Sequence, residues 1–504
     1  MSDDVAQEGI AFYVLAASLS LILYILSREK NLDSIPTVGP SSVLLSYFSA
    51  LRFLLDATGT LRDGYQRFKP GIFKVASFNQ WIVVVCGAKF VEELRKAPDG
   101  GVSCHEEAID EILQVSGILG KDTIPDQSHV HVLSAQLTRN IHFILPEICD
   151  EFSLAIREYI PSAEQGWTPV LVLETMARIV TRVSNRAFVG APLCRDPEYV
   201  RLCKTFAMQE LSKTAMCMKM FPKSTRALAY RIVTRLPSHT NKLRALLEPV
   251  IVRRIMRIES YGKDYPRRPN DLMQWLLMDS PGHRTSSKDI VSRILAVNAR
   301  AIRTSCMIMT QVLFHLAARP RHMETMRKEV EYVVKTEGWT KDAADQLNLM
   351  DSFIKETMRL NDACDLSMMR KTTKPFAFSN GVVIPEGTML YAASHPVHFD
   401  PEIYPKAEEF DGFRFEKLMD HDSLYFNQDK GSRYQLVATS PYFLAWGHGK
   451  HACPGRFFAA VELKIMLAHL ILNYDIQFEG ADAQASSLAN WKKDHLLFRR
   501  RERV

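Results

Sequence analysis

The chain has 504 residues, 47% hydrophobic and 24% charged, a globular balance that excludes a disordered, collagen-like or multi-span membrane protein. Its net charge of +6 suits a membrane surface or an acidic partner. With no dense basic stripe before the last six residues, it gives no sign of a nucleic-acid partner. Nine cysteines, at 86, 104, 149, 194, 203, 217, 306, 364 and 453, include no CxxC pair, which speaks against a disulfide scaffold or a cysteine zinc site. Their odd number leaves at least one free thiol or ligand.

Taken from the N-terminus, Ile10 to Leu26 is a run of seventeen residues without a charge. As a helix it would be about 25 Å long, at the lower limit for crossing a bilayer. Asp3, Asp4 and Glu8 precede it and Arg28 and Lys30 follow, the reverse of a secretory signal. The positive-inside rule puts everything after Lys30 in the cytosol, and the sequence contains no Asn-x-Ser/Thr sequon. Residues 1–30 are therefore expected to be a single-span anchor. Residues 31–40, with Pro36, Gly39 and Pro40, form a stiff connector, and 41–504 form one large domain, mainly α with small β-sheets.

Within that domain, GIFKVASFNQWIVVVC (71–86) predicts a hairpin turning at Ser77 to Gln80. The stretch MCMKMFPK (216–223) suits either a surface dipping into the membrane interface or an ordinary helix end with core methionines. The longest helix is expected from Ser287 to Ala318, ended by Pro320, and spans roughly 45 Å. Its centre, LAVNARAIRTSCMIM, carries polar residues where a buried helix should be apolar, so it is expected to line a cavity; a solvated face is the alternative. A second hairpin is predicted in PFAFSNGVVIPEGTMLYA (375–392), turning at Asn380-Gly381.

Near the C-terminus, WGHGKHACPG (446–455) places Cys453 among Gly447, Gly449 and Gly455, with an apolar helix starting at about Arg456. A thiol there meets free backbone N–H groups and the positive end of a helix dipole, which favour the thiolate. A thiolate can ligate haem iron, and glycines allow close approach to a flat cofactor. An inert turn cysteine would not need that whole frame.

This loop resembles the haem-binding loop of the cytochrome P-450 family, FxxGx(R/H)xCxG. Gly449, His451, Cys453 and Gly455 match, and Trp446 stands where Phe is usual. The resemblance extends over about residues 35 to 504 and implies the cytochrome P-450 fold behind the anchor. It makes Cys453 the axial ligand of haem b, with Trp446 a flat ring beside the sulfur and His451 a propionate contact. Glu356 and Arg359 fit ExxR, and Arg414, in the meander-like HPVHFDPEIYPKAEEFDGFRF (395–415), would complete a structural triad. Arg370 resembles a propionate-pairing arginine, or is a solvated strand-end charge; a further propionate contact is expected in 129–139.

The family's oxygen groove, (A/G)Gx(D/E)T, aligns with Arg300-Ala301-Ile302-Arg303-Thr304. Thr304 would hydrogen-bond dioxygen and relay protons, and Ala301 would keep the helix backbone close to the haem. Arg303 replaces the acid and cannot carry protons. Either Arg300 or Arg303 meets an acidic or polar substrate, or one of them faces away.

By the resemblance the chain is a haem-thiolate monooxygenase, inserting one atom of O2 into an apolar small molecule. The LAARP ending of the long helix is similar to fungal members acting on secondary metabolites such as terpenoids. No GxGxxG follows a strand, so electrons come from a separate NADPH-dependent cytochrome P-450 reductase, met by bases such as Lys450 and Lys464, at the endoplasmic reticulum membrane. An oxygen-independent haem-thiolate isomerase or dehydratase, and a non-catalytic haem-binding module, are the alternatives.

Overall fold

The computed structural model describes residues 32–103, 132–160, 166–214, 235–279, 286–361, 365–425, 434–480 and 494–501, except 43, 44 and 79. The apolar run 10–26, the stretch 216–223 and residues 129–131 lie outside these. Among the described residues, no single helix is long and apolar enough to cross a membrane.

Alternating and continuous apolar runs build the sheets. Strands β1 (Gly71–Ala76) and β2 (Trp81–Cys86) form the predicted antiparallel hairpin, in register from Gly71–Cys86 to Ala76–Trp81. They are almost wholly buried, as their valine-rich sequences require. The sheet continues in the order β1-β2-β8-β5-β3, with β3 at Val102–Ser103, β5 at Leu366–Thr372 and β8 at Met389–Ala393. β8 runs parallel to β2 and antiparallel to β5. A bulge between Ser367 and Arg370 interrupts the β5–β8 register, with Met368 at φ +52°.

The second predicted hairpin is shorter than expected. Only β6 (Phe376–Ala377) and β7 (Val383–Ile384) pair across Asn380-Gly381, where Gly381 has φ +84°. The residues after Pro385 leave for the main sheet, where Leu390 and Ala392 are fully buried. A third sheet joins β4 (Thr168–Leu171), β10 (His495–Arg500) and β9 (Tyr474–Gln477), with β10 central.

The segment around Pro36 is part of the body. Leu32, Ile35 and Val38 are buried, and the backbone of Pro36 and Val38 bonds to Lys74 at 2.8 and 3.0 Å. Lys74, buried inside β1, gives its ammonium to the Leu32 carbonyl and lies 5.1 Å from the Trp81 ring centre. Burial pushes its pKa down.

The long helix runs from Ser287 to Ala317, as the sequence indicated, and crosses the helical core. Ser286 and Asp289 form a reciprocal capping box at its start. At its end Pro320 occupies the first turn of the next helix, Pro320–Glu337, which leaves at 112°. Helices Val172–Phe188, Asn348–Leu360 and Arg456–Asn473 share its apolar core.

Candidate active site

Most polar residues at the centre of the long helix do not line a cavity. Asn298 accepts a hydrogen bond from Asn185 (2.8 Å) on the helix Val172–Phe188. Ser305 bonds to Glu462, which also accepts from Ser184 (2.6 Å). Burial lifts the Glu462 carboxyl to about 7, against the pull of the two serine hydroxyls. These groups tie three helices together, which satisfies buried polarity without a ligand.

Thr304 is the exception. It is exposed in the middle of an otherwise buried helix, while Arg300, Ala301, Arg303 and Met307 are partly accessible. Its Oγ1 donates to the Arg300 carbonyl at 2.9 Å, with Ala301 O at 3.4 Å. The hydroxyl proton is thus held by the helix backbone and the lone pairs remain as acceptors. Arg303 turns elsewhere: its Nη1 donates to Ser212 Oγ and, at 3.4 Å, to the Met208 carbonyl. That engagement accounts for the base at this position without a substrate.

Cys453 sits on the turn before the helix Arg456–Asn473, and its N–H donates to the Trp446 carbonyl at 2.7 Å. Among the described cysteines it alone is not buried. Cys86, Cys149, Cys194, Cys203 and Cys306 are buried, and burial pushes their thiols up to about 11 or 12. Gly449 has φ +82°, and a Cβ there would lie 2.3 Å from Arg95 Cγ, so only glycine fits. At Gly455 a Cβ would meet nothing within 4 Å. The Trp446 ring is buried, and its Nε1 donates to the Leu436 carbonyl at 2.7 Å, a bond phenylalanine could not make.

Two bases accompany the thiol, one within the loop and one on the sheet. Arg370, on β5, is buried and donates to its neighbour Met369 O at 2.8 Å, so it is no solvated strand-end charge. His451 lies 3.0 Å from Asp99 and feels the charge of Arg370. Burial lowers the His451 pKa and Arg370 adds to this, while Asp99 opposes it. In 132–139, Gln136 is half-buried and Arg139 exposed.

Sequence reasoning missed the acids that clamp the loop to the helix Ala88–Lys96 and the turn after it. Asp99 takes both Lys450 (2.7 Å) and His451, and these bonds hold its carboxyl below the usual range. Glu92 bonds His448 Nε2 at 2.7 Å, and His448 Nδ1 faces Thr439 at 3.1 Å. Burial acts to raise the Glu92 pKa, but the bonds from His448 and Arg95 bring it down. No local signal marks such partners, more than 300 residues away in sequence.

The ExxR expectation is met in full. Glu356 and Arg359 are completely buried and joined by two 2.8 Å bonds, and Arg414 Nε reaches the same carboxylate at 3.0 Å. Arg359 Nη1 also donates to the carbonyls of His398 (2.6 Å) and Ala407 (2.7 Å). The His398 ring then accepts the N–H of Leu444 at 3.0 Å, two residues before Trp446. The triad therefore reaches the cysteine loop through one imidazole. Lys355, also buried, donates to the carbonyls of Tyr434 (3.1 Å) and Gln435 (2.8 Å); burial brings its pKa down to about 7. Lys464 is no surface base: it is buried and paired with Asp351 at 2.8 Å, because its helix runs through the core. Lys450 is exposed.

A thiol accessible at a helix N-terminus, two bases at its loop and a glycine with open space over it fit a flat, anionic-edged metal macrocycle. Comparison with known proteins agrees. The family model "Cytochrome P450" matches residues 62–499. Cytochrome P450 monooxygenase 151 of Postia placenta is 38% identical over 93% of this chain and 93% of its own length. Cytochrome P450 monooxygenase CYP512U6 of Ganoderma lucidum is 34% identical over 89% and 87%, and paxQ of Penicillium paxilli 31% over 97% and 94%. The fold is similar to that of the cyanobacterial CYP120A1 bound to retinoic acid, with TM-score 0.64 and 17% identity over 93% of this chain and 98% of that one. The chain belongs to the cytochrome P450 family and is a haem-thiolate monooxygenase with haem b as its cofactor.

Proposed function

We propose that the protein is a membrane-bound monooxygenase that inserts one oxygen atom of O2 into a C–H bond of a small, largely apolar fungal secondary metabolite, such as a terpenoid, and reduces the other atom to water. The observation that carries this reading is an accessible thiol at 453 before a helix N-terminus, in a chain whose long helix also carries an exposed hydroxyl at 304 amid its buried residues.

Haem b supplies the iron at which oxygen is activated. Cys453 would hold it as the thiolate, favoured by the N-terminal dipole of the helix that starts at Arg456. His451 and Arg370 would bind its propionates, and the small Ala301 would let the long helix backbone approach it. Thr304 Oγ1, whose own proton rests on the Arg300 carbonyl, accepts a hydrogen bond from water or substrate on its exposed side and passes protons by rotation. With Arg303 turned to Ser212, protons arrive through Thr304 and water.

The run 10–26 would anchor the chain once in the endoplasmic reticulum membrane, with the catalytic domain in the cytosol. An NADPH-dependent reductase on the same membrane would supply electrons, with Lys450 among the exposed bases available to it. Retention of Thr304 favours oxygen chemistry over an oxygen-independent isomerase.

The test is expression of the full chain with a reductase, feeding terpenoids and identifying products by mass. Products should carry one added oxygen and require both NADPH and O2. The reduced protein should show the thiolate-type CO difference spectrum, and Cys453→Ala should lose it. Retention of that spectrum in Cys453→Ala would overturn the assignment.

A further inference from the structure

The helix Arg456–Asn473 begins just after Cys453 and ends at a cavity of about 460 Å³. There the helices Thr138–Tyr159 and Pro320–Glu337 meet strands β9 and β10, about 25 Å of helix away from the thiol. The volume falls within the about 300–1,000 Å³ usual for small-molecule sites. Ile156, Val334, Leu472 and the Trp339 ring make one wall apolar, with Trp339 stacked on His469 at 3.7 Å between ring centres. Arg157, Arg500 and Tyr474 make the other side polar. The Tyr474 ring is buried against Phe498, yet its hydroxyl has no partner among the described residues. Burial raises the Tyr474 pKa and the charges of Arg500 and Arg157 oppose this, which sets both guanidiniums near the phenol. The acids at this corner are taken. Asp475 holds Arg327 (3.0 Å) and Arg499 (3.1 Å) and, with Glu331, faces Arg501 at 3.9 and 3.7 Å. Glu158, next to Arg157 in sequence, pairs with Arg182. Arg157 and Arg500 are exposed and have neither an ion pair nor a side-chain hydrogen bond among the described residues.

We propose that this cavity binds a phosphate monoester, its phosphate held by Arg157 and Arg500 and its organic body laid on the Trp339 wall. Two guanidiniums present forked donors and two positive charges. A phosphate monoester dianion meets both charges, whereas a carboxylate meets only one. The Tyr474 hydroxyl adds a further donor between them. The apolar wall rewards an attached body that inorganic phosphate lacks. Because the ligand joins the end of the helix Thr138–Tyr159 to the C-terminal strand β10, its binding stabilises the folded chain. The same chemistry is offered by a free phosphorylated metabolite and by a lipid headgroup that ends in a phosphate monoester.

The experiment uses the full-length holoenzyme in phosphatidylcholine nanodiscs and labelled 1-naphthyl phosphate as the probe, in equilibrium dialysis. Unlabelled 1-naphthol, 1-naphthoic acid and inorganic phosphate should each compete at least about tenfold more weakly than unlabelled probe. Arg157→Gln and Arg500→Gln should each weaken probe binding at least about tenfold, with the thiolate-type CO spectrum intact. Arg253→Gln, an exposed base on the helix Leu236–Tyr261, should bind within about twofold of the wild type. The probe should raise the Tm of the wild type and leave that of the two pocket variants unchanged. Should one pocket variant fail to take up haem, the other decides. Displacement of the probe by phosphatidic acid placed in the discs assigns the phosphate to a lipid headgroup, and its absence to a free metabolite; both uphold the site. No probe binding, equal competition by naphthol, naphthoic acid or inorganic phosphate, or an affinity that survives Arg157→Gln and Arg500→Gln would overturn the proposal.

Discussion

Glu462 offers a test of how the three helices behind the site are joined. Its carboxyl is fully buried, accepts from Ser184 at 2.6 Å and from Ser305, and is lifted by burial from an ordinary 4.5 to about 7. Below pH 4.5 the carboxyl is protonated in both folded and unfolded chains and costs nothing. Between about 4.5 and about 7 the unfolded chain releases its proton and the folded chain keeps it, so the contribution to stability falls as pH rises. Above 7 the loss is complete. At about 1.4 kcal/mol for each tenfold change in proton affinity, the displacement corresponds to about 3 kcal/mol. Glu462→Gln keeps the shape and an acceptor for the serines but has no proton to lose. It should therefore match the wild type at pH 5 and exceed it at pH 8. Taking an unfolding entropy of about 2 cal/mol/K per residue, 3 kcal/mol corresponds to a rise in Tm of about 3 °C for a chain this long. Differential scanning calorimetry of the two holoproteins at both pH values measures it. An equal difference at pH 5 and pH 8, or a less stable variant at pH 8, would refute the reasoning.

Two further outcomes follow from the buried network and the groove. Glu356→Gln leaves the buried guanidiniums of Arg359 and Arg414 without their counter-charge. It should cost about 3–5 kcal/mol and lower haem retention, because Arg359 positions His398 and His398 holds Leu444; a variant with full haem content and unchanged Tm would contradict this. Arg303→Ala removes the bond to Ser212 and should cost about 1.5 kcal/mol of stability, with substrate affinity by spectral titration within about twofold of the wild type. A tenfold loss of affinity would place Arg303 in the substrate site after all.

The features legible in the sequence are those carried by short-range rules. The glycines around Cys453 and the helix after it are local, and so is the one-turn spacing of Glu356 and Arg359. The Asn-Gly turn and the capping of the long helix belong with them. Chain positions that answer to distant partners were not legible. Lys464 reads as one more surface base in its helix, until Asp351 and the core around it come from elsewhere in the chain. Glu92 and Asp99 carry nothing in their own neighbourhood that marks them as clamps for His448, Lys450 and His451.

Arg300 and Arg303 show where the boundary between the two kinds of information lies. Helical periodicity fixes the angle between their side chains but cannot say which direction is the cavity. The same polar composition at the centre of the long helix was compatible with a lined cavity throughout, yet Asn298 and Ser305 are spent on Asn185 and Glu462. Only after those partners and Ser212 are assigned does the accessible Thr304 stand out. A polar residue in a buried helix becomes evidence for a ligand only when the neighbouring helices leave it on the accessible face. In this chain that condition singles out the hydroxyl of Thr304, the exposed side chain at the centre of the long helix.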